Sequence, residues 1–385
     1  LNAGTHIPEE GTTGSPKWDF GDIKNFRNYN NPGVGQNIKY NPLPQPERHP
    51  VKRNFVIAIV AVIVISLAAG GAWYIAHPAP SYSGPPEPIT IGVYPEIINT
   101  LLYIADDSGF FRETGLNVTI QSYDTGMAAS EAMGRGEIEL AALSEYAYTG
   151  QVFQNPATAV LGCMDKSQRF SVISQEGRDI DDIPDLDGKR IGISRRTTAE
   201  FYLGRFLVLH GISFRNVTLV DLKPRETVDA FRAGRIDAFV AERTAIEELQ
   251  HLKNGTVMSW PAQSSQPSYN LITGRQDWIA GHPEPVVKFL HALDDASEYA
   301  AEHPEEAQKI VKKRLNLTDA YTNAVWPDHQ FSLSLDQSLV LAMEDEARWM
   351  IANNMTNATV VPDFRRYIYS DGLESVKPGS VNIIG

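Results

Sequence analysis

The sequence predicts an α/β protein: two lobes, each built on its own sheet, preceded by a single transmembrane helix. Three observations carry that reading. Near the N-terminus, Phe55 to Ala76 runs 22 residues without a charge. Beyond it a strand–helix–strand–helix–strand pattern occurs twice in one register. A mainly helical region follows the second copy.

The uncharged run comes first. A hydrocarbon core of ~30 Å needs ~20 apolar residues as helix. Trp73 and Tyr74 lie at the far end of the run, where aromatic rings favour the membrane interface. Arg48, Lys52 and Arg53 crowd the near end, and the next cation is Arg112. The positive-inside rule then leaves residues 1–54 cytoplasmic and the large C-terminal part outside. A cleaved signal peptide is the alternative, with small residues at Ser66-Leu67-Ala68 and Leu67-Ala68-Ala69. Residues 1–54 are rich in Asn, Pro and Gly and read as a disordered leader without a core. Residues 1–50 are expected to be dispensable, since a start at Val51 would itself give an ordinary targeting sequence. Residues 77–88, HPAPSYSGPPEP, form a Pro-rich, extended tether. Six Asn-X-Thr sequons, at Asn117, Asn216, Asn254, Asn316, Asn354 and Asn357, all lie beyond the apolar run. They are glycosylation candidates and agree with an exported domain.

The repeat defines the rest. Its first copy opens with Ile89-Thr-Ile-Gly92-Val93, passes Asn117-Val-Thr-Ile120 and ends in Gly136-Glu-Ile138-Glu139 and an apolar run. The second opens with Arg190-Ile191-Gly192-Ile193, passes Asn216-Val-Thr-Leu219 and ends in Gly234-Arg-Ile236-Asp237 with a similar run. Helices are expected over Ile97–Phe111, Met127–Met133, Thr198–Leu209 and Glu226–Phe231 from their apolar spacing. Strands alternating with helices imply parallel sheets. Tyr269–Thr273 reads as a return strand, followed by helices over Pro285–Ala301, Pro304–Leu315 and Leu335–Ala352. Lobe I is expected to comprise 89–171 and 263–385, and lobe II 172–262. Ligands on such sheets bind at the carboxyl ends of the strands, so two facing lobes make a cleft that closes about a hinge.

Composition narrows the function. Residues 55–385 hold 27 Lys and Arg against 42 Asp and Glu, which argues against a nucleic-acid partner. Cys163 stands alone, so there is no internal disulfide and no cysteine-ligated metal cluster, and no cofactor or metal is expected. Zinc-protease, serine-hydrolase and phosphate-loop motifs are absent, which disfavours an enzyme.

Taken in order, the motifs resemble the nitrate/sulfonate/taurine-type substrate-binding proteins of ABC importers. Relatives that bind thiamine pyrimidine precursors belong to the same group. The motifs are Ile91-Gly-Val-Tyr94-Pro95, Ala105-X4-Phe110-Phe-X3-Gly115-Leu-X-Val118 and Gly126-X5-Ala132-Met-X-Arg-Gly136-Glu-Ile-Glu. They continue with Ile183-Pro-Asp-Leu186-Asp-Gly188-Lys-Arg190-Ile, Leu222-X-Pro224-X5-Ala230-Phe-X-Ala-Gly234-X-Ile-Asp237-Ala and His282-Pro283-Glu284. The resemblance spans about 86–385. It implies a type II periplasmic-binding-protein fold, a small solute between the lobes, and an ABC permease and ATPase as partners. A ligand-binding sensor or co-receptor subunit is the alternative function.

The ligand-facing loops are expected at Tyr94-Pro95-Glu96, Thr125-Gly126-Met127 and Ser144-Glu145 in lobe I. In lobe II they are Arg195-Arg196-Thr197-Thr198 and Glu242, with Tyr269 on the return strand. Thr125 and Gly126 open a helix whose free N–H groups can hold an anion, though threonine there is also an ordinary cap. Two departures from the family stand out. The second-lobe loop has Arg195-Arg196 where a glycine usually precedes the hydroxyl residue. Glu242-Arg243 replaces a tryptophan-and-proline element. The double arginine favours an anion, while Glu96, Glu145 and Glu242 beside it would suit a zwitterion or a pyrimidine.

Overall fold

The computed structural model describes residues 84–250 and 256–384. The expected leader, membrane segment and most of the tether lie outside the described residues, as does Asn254. Among the described residues no helix is long and apolar enough to cross a membrane.

Two sheets organise the chain. The first contains β1 (Glu87–Val93), β2 (Leu116–Ser122), β3 (Leu140–Ser144), β4 (Thr158–Ser167), β10 (Ser268–Arg275), β11 (His329–Asp336) and β12 (Val381–Asn382), in the order β12-β11-β4-β10-β3-β1-β2. The second contains β5 (Ser171–Gln175), β6 (Arg190–Ile193), β7 (Thr218–Asp221), β8 (Ala238–Ala241) and β9 (Val257–Pro261), in the order β7-β6-β8-β5-β9. In each sheet a central strand has parallel neighbours on both sides, β2-β1-β3 and β7-β6-β8. An antiparallel strand then follows, β10 against β3 and β5 against β8. This is the two-sheet α/β architecture of the periplasmic-binding-protein fold.

The repeat is exact enough to share its glycines. Gly92 pairs with Ala141 across β1 and β3, and Gly192 pairs with Phe239 across β6 and β8. A Cβ on Gly92 would come within 2.6 Å of Ile138 Cδ1, and one on Gly192 within 2.5 Å of Ile236 Cδ1. Each copy therefore needs a glycine for the isoleucine of its own Gly-X-Ile segment to pass over the central strand. Gly136 and Gly234, at φ +76° and +68°, supply the left-handed turn that opens those segments.

Helices cover both sheets. In the first part of the chain these are α1 (Thr100–Ser108), α2 (Phe110–Glu113), α3 (Gly126–Gly134) and α4 (Glu145–Val152). The second sheet carries α5 (Thr198–Leu209), α6 (Pro224–Arg232) and α7 (Arg243–Gln250). Then come α8 (Gln276–Gly281), α9 (Pro283–Glu302), α10 (Pro304–Leu315), α11 (Asp319–Val325), α12 (Gln337–Ala352) and α13 (Ser370–Val376). The expected helix over Ile97–Phe111 is broken in two places. A 3-10 turn occupies Ile97–Asn99, and Gly109 at φ +88° ends α1.

The long helix α9 shows how sequence becomes packing. Pro283 starts it where a missing N–H costs nothing. Val286, Phe289, Leu290, Leu293, Ala296 and Ala300 are buried at helical spacing. Phe289 stacks on Phe111 with centroids 5.2 Å apart. Burying such a ring contributes about 1.5–3 kcal/mol. Pro304 then ends α9 and begins α10. The last long helix starts at Gln337, not Leu335. Leu333 and Leu335 are buried in β11, and Leu335 pairs with Val381, so the chain is still strand at that point.

The chain passes between the sheets at Gln168–Phe170 and again at Ala262–Pro267. Gln263 ties these passages together. Its Oε1 accepts from Phe170 N at 2.9 Å, and its Nε2 donates to Ser167 O at 2.9 Å and Gln266 O at 3.0 Å. Ala262 N donates to Phe170 O at 2.9 Å. A buried amide bonded on three sides fixes the geometry of this crossing, the place where the sequence reading expects a hinge.

Candidate functional site

The carboxyl ends of β1 and β3 meet those of β6 and β8 across the hinge. The meeting point is Arg169, in the first passage, a residue the sequence reading did not single out. Its Nη1 donates to Glu242 Oε1 at 2.7 Å, just beyond β8, and reaches Glu96 Oε2 at 3.5 Å, just beyond β1. One cation thus joins a carboxylate from each lobe. The side chains are 13% (Arg169), 23% (Glu242) and 33% (Glu96) exposed, so solvent reaches the group mainly from the Glu96 side. Burial raises the Glu96 carboxyl above its ordinary range, with Arg169 opposing and Glu242 reinforcing the shift. Tyr321 on α11 lies in the same field. Burial, and then the charges of Glu242 and Glu96, push its hydroxyl up to about 12.

A second junction lies at α4. Thr198 Oγ1, at the start of α5, donates to Ser144 Oγ at 3.2 Å, and Ser144 also caps α4 by accepting from Ala147 N. Behind it Tyr146 lies 6.1 Å from Phe201 and 6.2 Å from Trp349. A Cβ on Gly204 of α5 would fall 2.7 Å from Trp349 Nε1, so the end of α12 is packed directly on the second lobe. Elements of the two sheets therefore meet at Arg169 and again at α4.

Between these junctions, Glu145 is fully buried and neither of its carboxylate oxygens has a hydrogen bond of ordinary geometry. Burial raises its carboxyl to about 8, against the pull of the Tyr269, Glu145 and Tyr146 amides. Glu346 of α12, also fully buried, accepts from Thr149 Oγ1 at 3.0 Å, and burial followed by the Glu145 charge raises it in the same sense. Tyr269, buried on β10, is held up at about 12 by burial.

The other expected residues are placed as follows. Tyr94 and Pro95 are exposed on the loop after β1, where Tyr94 O accepts from Asn99 Nδ2 at 2.7 Å. Thr125 is an exposed N-cap whose Oγ1 accepts from Ala128 N at 3.0 Å. Gly126 follows it because a Cβ there would lie 2.9 Å from Leu143 Cβ, and Met127 is half-buried. Arg195 Nε contacts Glu200 Oε1 at 2.5 Å, and Arg196 N donates to Glu200 Oε2 at 2.6 Å. Thr197 Oγ1 donates to Ser194 O at 2.7 Å. The first turn of α5 thus has its own internal anion, the buried Glu200. Of the expected set, the structure brings together Glu96 and Glu242, and Ser144 and Thr198, with Glu145 and Tyr269 between. Thr125 and the Arg195–Arg196 pair stand apart with local partners. The sequon residues Asn117, Asn216, Asn316, Asn354 and Asn357 are all exposed.

Several site residues were missed. Arg169 and Asp165 lie in the polar run that ends the apolar strand 158–164, a signal that a strand exit reaches a functional edge. His329 had no such signal. Its Nδ1 lies 3.0 Å from Asp165 Oδ2, with both side chains 1% exposed, and its ring stacks on Phe331. Two cavities flank the hinge. One of about 210 Å³ lies beside Arg169, between Gln168, Ser171, Ile246, Ser259, Pro261 and Asp328. The other, about 320 Å³, is lined by Lys166, Gln168, Pro267, Pro327, Asp328, His329 and Gln330. Among the described residues no group of three or more His, Cys, Asp or Glu could hold a metal ion.

Comparison with known proteins agrees with this architecture. The crystal structure of the periplasmic aliphatic sulphonate binding protein SsuA from Escherichia coli superposes with a TM-score of 0.63 at 15% identity, covering 74% of this chain and 98% of that one. The taurine-binding periplasmic protein of Escherichia coli is 25% identical over 202 residues, 52% of this chain and 62% of its own length. The 4-amino-5-hydroxymethyl-2-methylpyrimidine phosphate synthase of Aspergillus parasiticus is 22% identical, over 54% of this chain and 64% of its own. The fold therefore serves both binding proteins and an enzyme among these relatives. The family described as NMT1/THI5 like matches residues 98–307, more than half of the chain, and the chain belongs to that family.

Proposed function

We propose that this chain is the extracytoplasmic solute-binding component of an ABC importer. In this reading residues 89–171 with 263–385 form one lobe and 172–262 the other. A solute enters between them, and a permease with its ATPase receives it. Residues 55–76 anchor the domain, with the C-terminal part outside, and 77–88 hold it off the membrane. The observation that carries the reading is Arg169, bridging Glu96 of one lobe and Glu242 of the other at facing strand ends. A small solute that engages both lobes at such a point shifts the equilibrium between open and closed forms. Glu96, Ser144, Glu145, Thr198, Glu242 and Arg169 are the contacts we assign.

Binding is favoured over catalysis because the lone thiol is inert. Cys163 is buried on β4, where burial holds its thiol far above the usual range. The test is a thermal-shift screen of the whole chain against sulfonates, amino acids, amines and pyrimidines. A solute that binds only the folded form raises the melting point by mass action. At least one class should produce a saturable rise. A flat response to every class contradicts the reading.

A further inference from the structure

Around the junction, most polar atoms left over are acceptors. Asp165 on β4 pairs in register with Asn270 on β10, and Asn270 pairs with Ser144 on β3, the residue before Glu145. Asn270 Nδ2 donates to Asn99 Oδ1 and Ile98 O, which follow Glu96. Asp165, Asn270, Glu145 and Glu96 therefore stand side by side along one sheet edge. His329 adjoins this row. Its Nδ1 lies 3.0 Å from Asp165 Oδ2, which leaves Nε2 buried and without a partner.

The buried atoms there without a hydrogen bond of ordinary geometry include Asp165 Oδ1, Asn270 Oδ1, His329 Nε2 and both oxygens of Glu145. Arg169 Nε, Gln266 Nε2 and the Tyr103 hydroxyl are the donors there without one. Charge runs the same way. Glu96, Asp165 and Glu242 lie about one obligatory cation, Arg169, while Glu145 keeps its proton up to about pH 8. Of the two arginines on the loop before α5, Arg195 is turned to Glu200, while Arg196 bonds Glu200 through its backbone N–H and its side chain is exposed. A guanidinium is also the one group already seen between Glu96 and Glu242.

From this geometry we infer that the solute is a small cation presenting several N–H donors, of the amidinium or guanidinium class, and not a sulfonate or other anion. The inference rests on the solute-binding reading above. Buried acceptors without partners are costly, and a ligand N–H satisfies each of them. A planar N–H fork also matches carboxylate geometry in two places at once. An anion in the same place would face the Glu242 and Asp165 carboxylates.

Titration calorimetry on the whole chain in non-ionic detergent tests this. The probes are methylguanidine, acetamidine and benzamidine against taurine, ethanesulfonate and nitrate, at constant salt. At least one of the three cations should bind saturably, and ethanesulfonate and nitrate should give no saturable heat. Glu96→Gln and Glu242→Gln keep the side-chain shape and should each weaken that cation more than tenfold. Tighter binding of taurine or of an anion than of any cation overturns the charge class and leaves solute binding intact. Cation binding unchanged in both variants overturns the location. Should no probe of any charge bind here and the wider screen also stay flat, both readings fail.

Discussion

The two lobes repeat one frame and differ at its edge. In lobe I, Thr90 N donates to Glu139 Oε2 at 2.7 Å. In lobe II, Arg190 N donates to Asp237 Oδ2 at 2.9 Å. The same acid thus closes the same turn, and Gly92 and Gly192 play the same part beneath Ile138 and Ile236. Beyond the strand ends the likeness stops. Lobe I presents Glu96, Glu145 and Asp165 towards the hinge. Lobe II turns Arg195 and the Arg196 amide inward onto Glu200 and offers Glu242 alone to the junction. Strand crossing and turn geometry constrain the frame, because a misplaced atom there has nowhere to go. The edge is free of that constraint, and function is written there.

The comparison breaks most readily at Arg169. Arg169→Met leaves two half-buried carboxylates facing each other. We expect a loss of about 2–3 kcal/mol in urea unfolding, discounted for their partial exposure. Adding Glu242→Gln should restore part of it, and a fully additive double variant would show that the three groups are not coupled. The shared glycines come next. Gly92→Ala should cost about 1–3 kcal/mol, since Ala129 Cβ and Tyr123 Cε2 also lie 2.9 Å from the new atom. Gly192→Ala should cost less, because its closest contacts are the flexible ends of Ile236 and Leu222. Equal losses in the two would remove the distinction.

A smaller effect depends on pH. The folded Glu145 carboxyl titrates at about 8, against an ordinary value of 4.5. Between those values the folded chain holds a proton that the unfolded chain has released, so stability falls as pH rises from about 4.5 to about 8 and then levels. Glu145→Gln should shallow that fall in melting temperature, leaving the part due to Glu346, which is raised in the same sense. An unchanged profile would place the titration elsewhere. Smallest of all are the helix caps. Thr125→Ala removes a side-chain acceptor from α3 and should cost ~1 kcal/mol. Thr197→Ala removes no such cap and should cost less.

The fold was legible because its constraints are local and repeated. Gly92, Asn117 and Gly136 recur as Gly192, Asn216 and Gly234, and α5 matches the expected Thr198–Leu209 at both ends. Strands β4, β5, β9 and β11 were harder to read. Their apolar runs lack helical spacing, and their partners are far away in sequence, β4 lying between β10 and β11. The site was legible only where it follows the repeat. Glu96 and Glu242 lie just after repeat strands and could be named in advance. Arg169, Asp165 and His329 owe their meeting to the order of strands across the sheet, which no spacing along the chain displays. Arg195 and Arg196 drew attention by their charge, and Glu200, five residues on, answers that of Arg195.

The central claim is that the lobes close on a solute about the Gln168–Phe170 and Ala262–Pro267 passages. Cys163 is buried, so cysteines introduced at the exposed positions Gln121 and Thr218 can be spin-labelled selectively. Pulsed dipolar spectroscopy then reads the distance between the edges of the two sheets. With the best-binding solute at saturation, we predict one narrow distribution, and a broader or longer one without it. The same distribution in both conditions, with binding verified by calorimetry, would contradict the account.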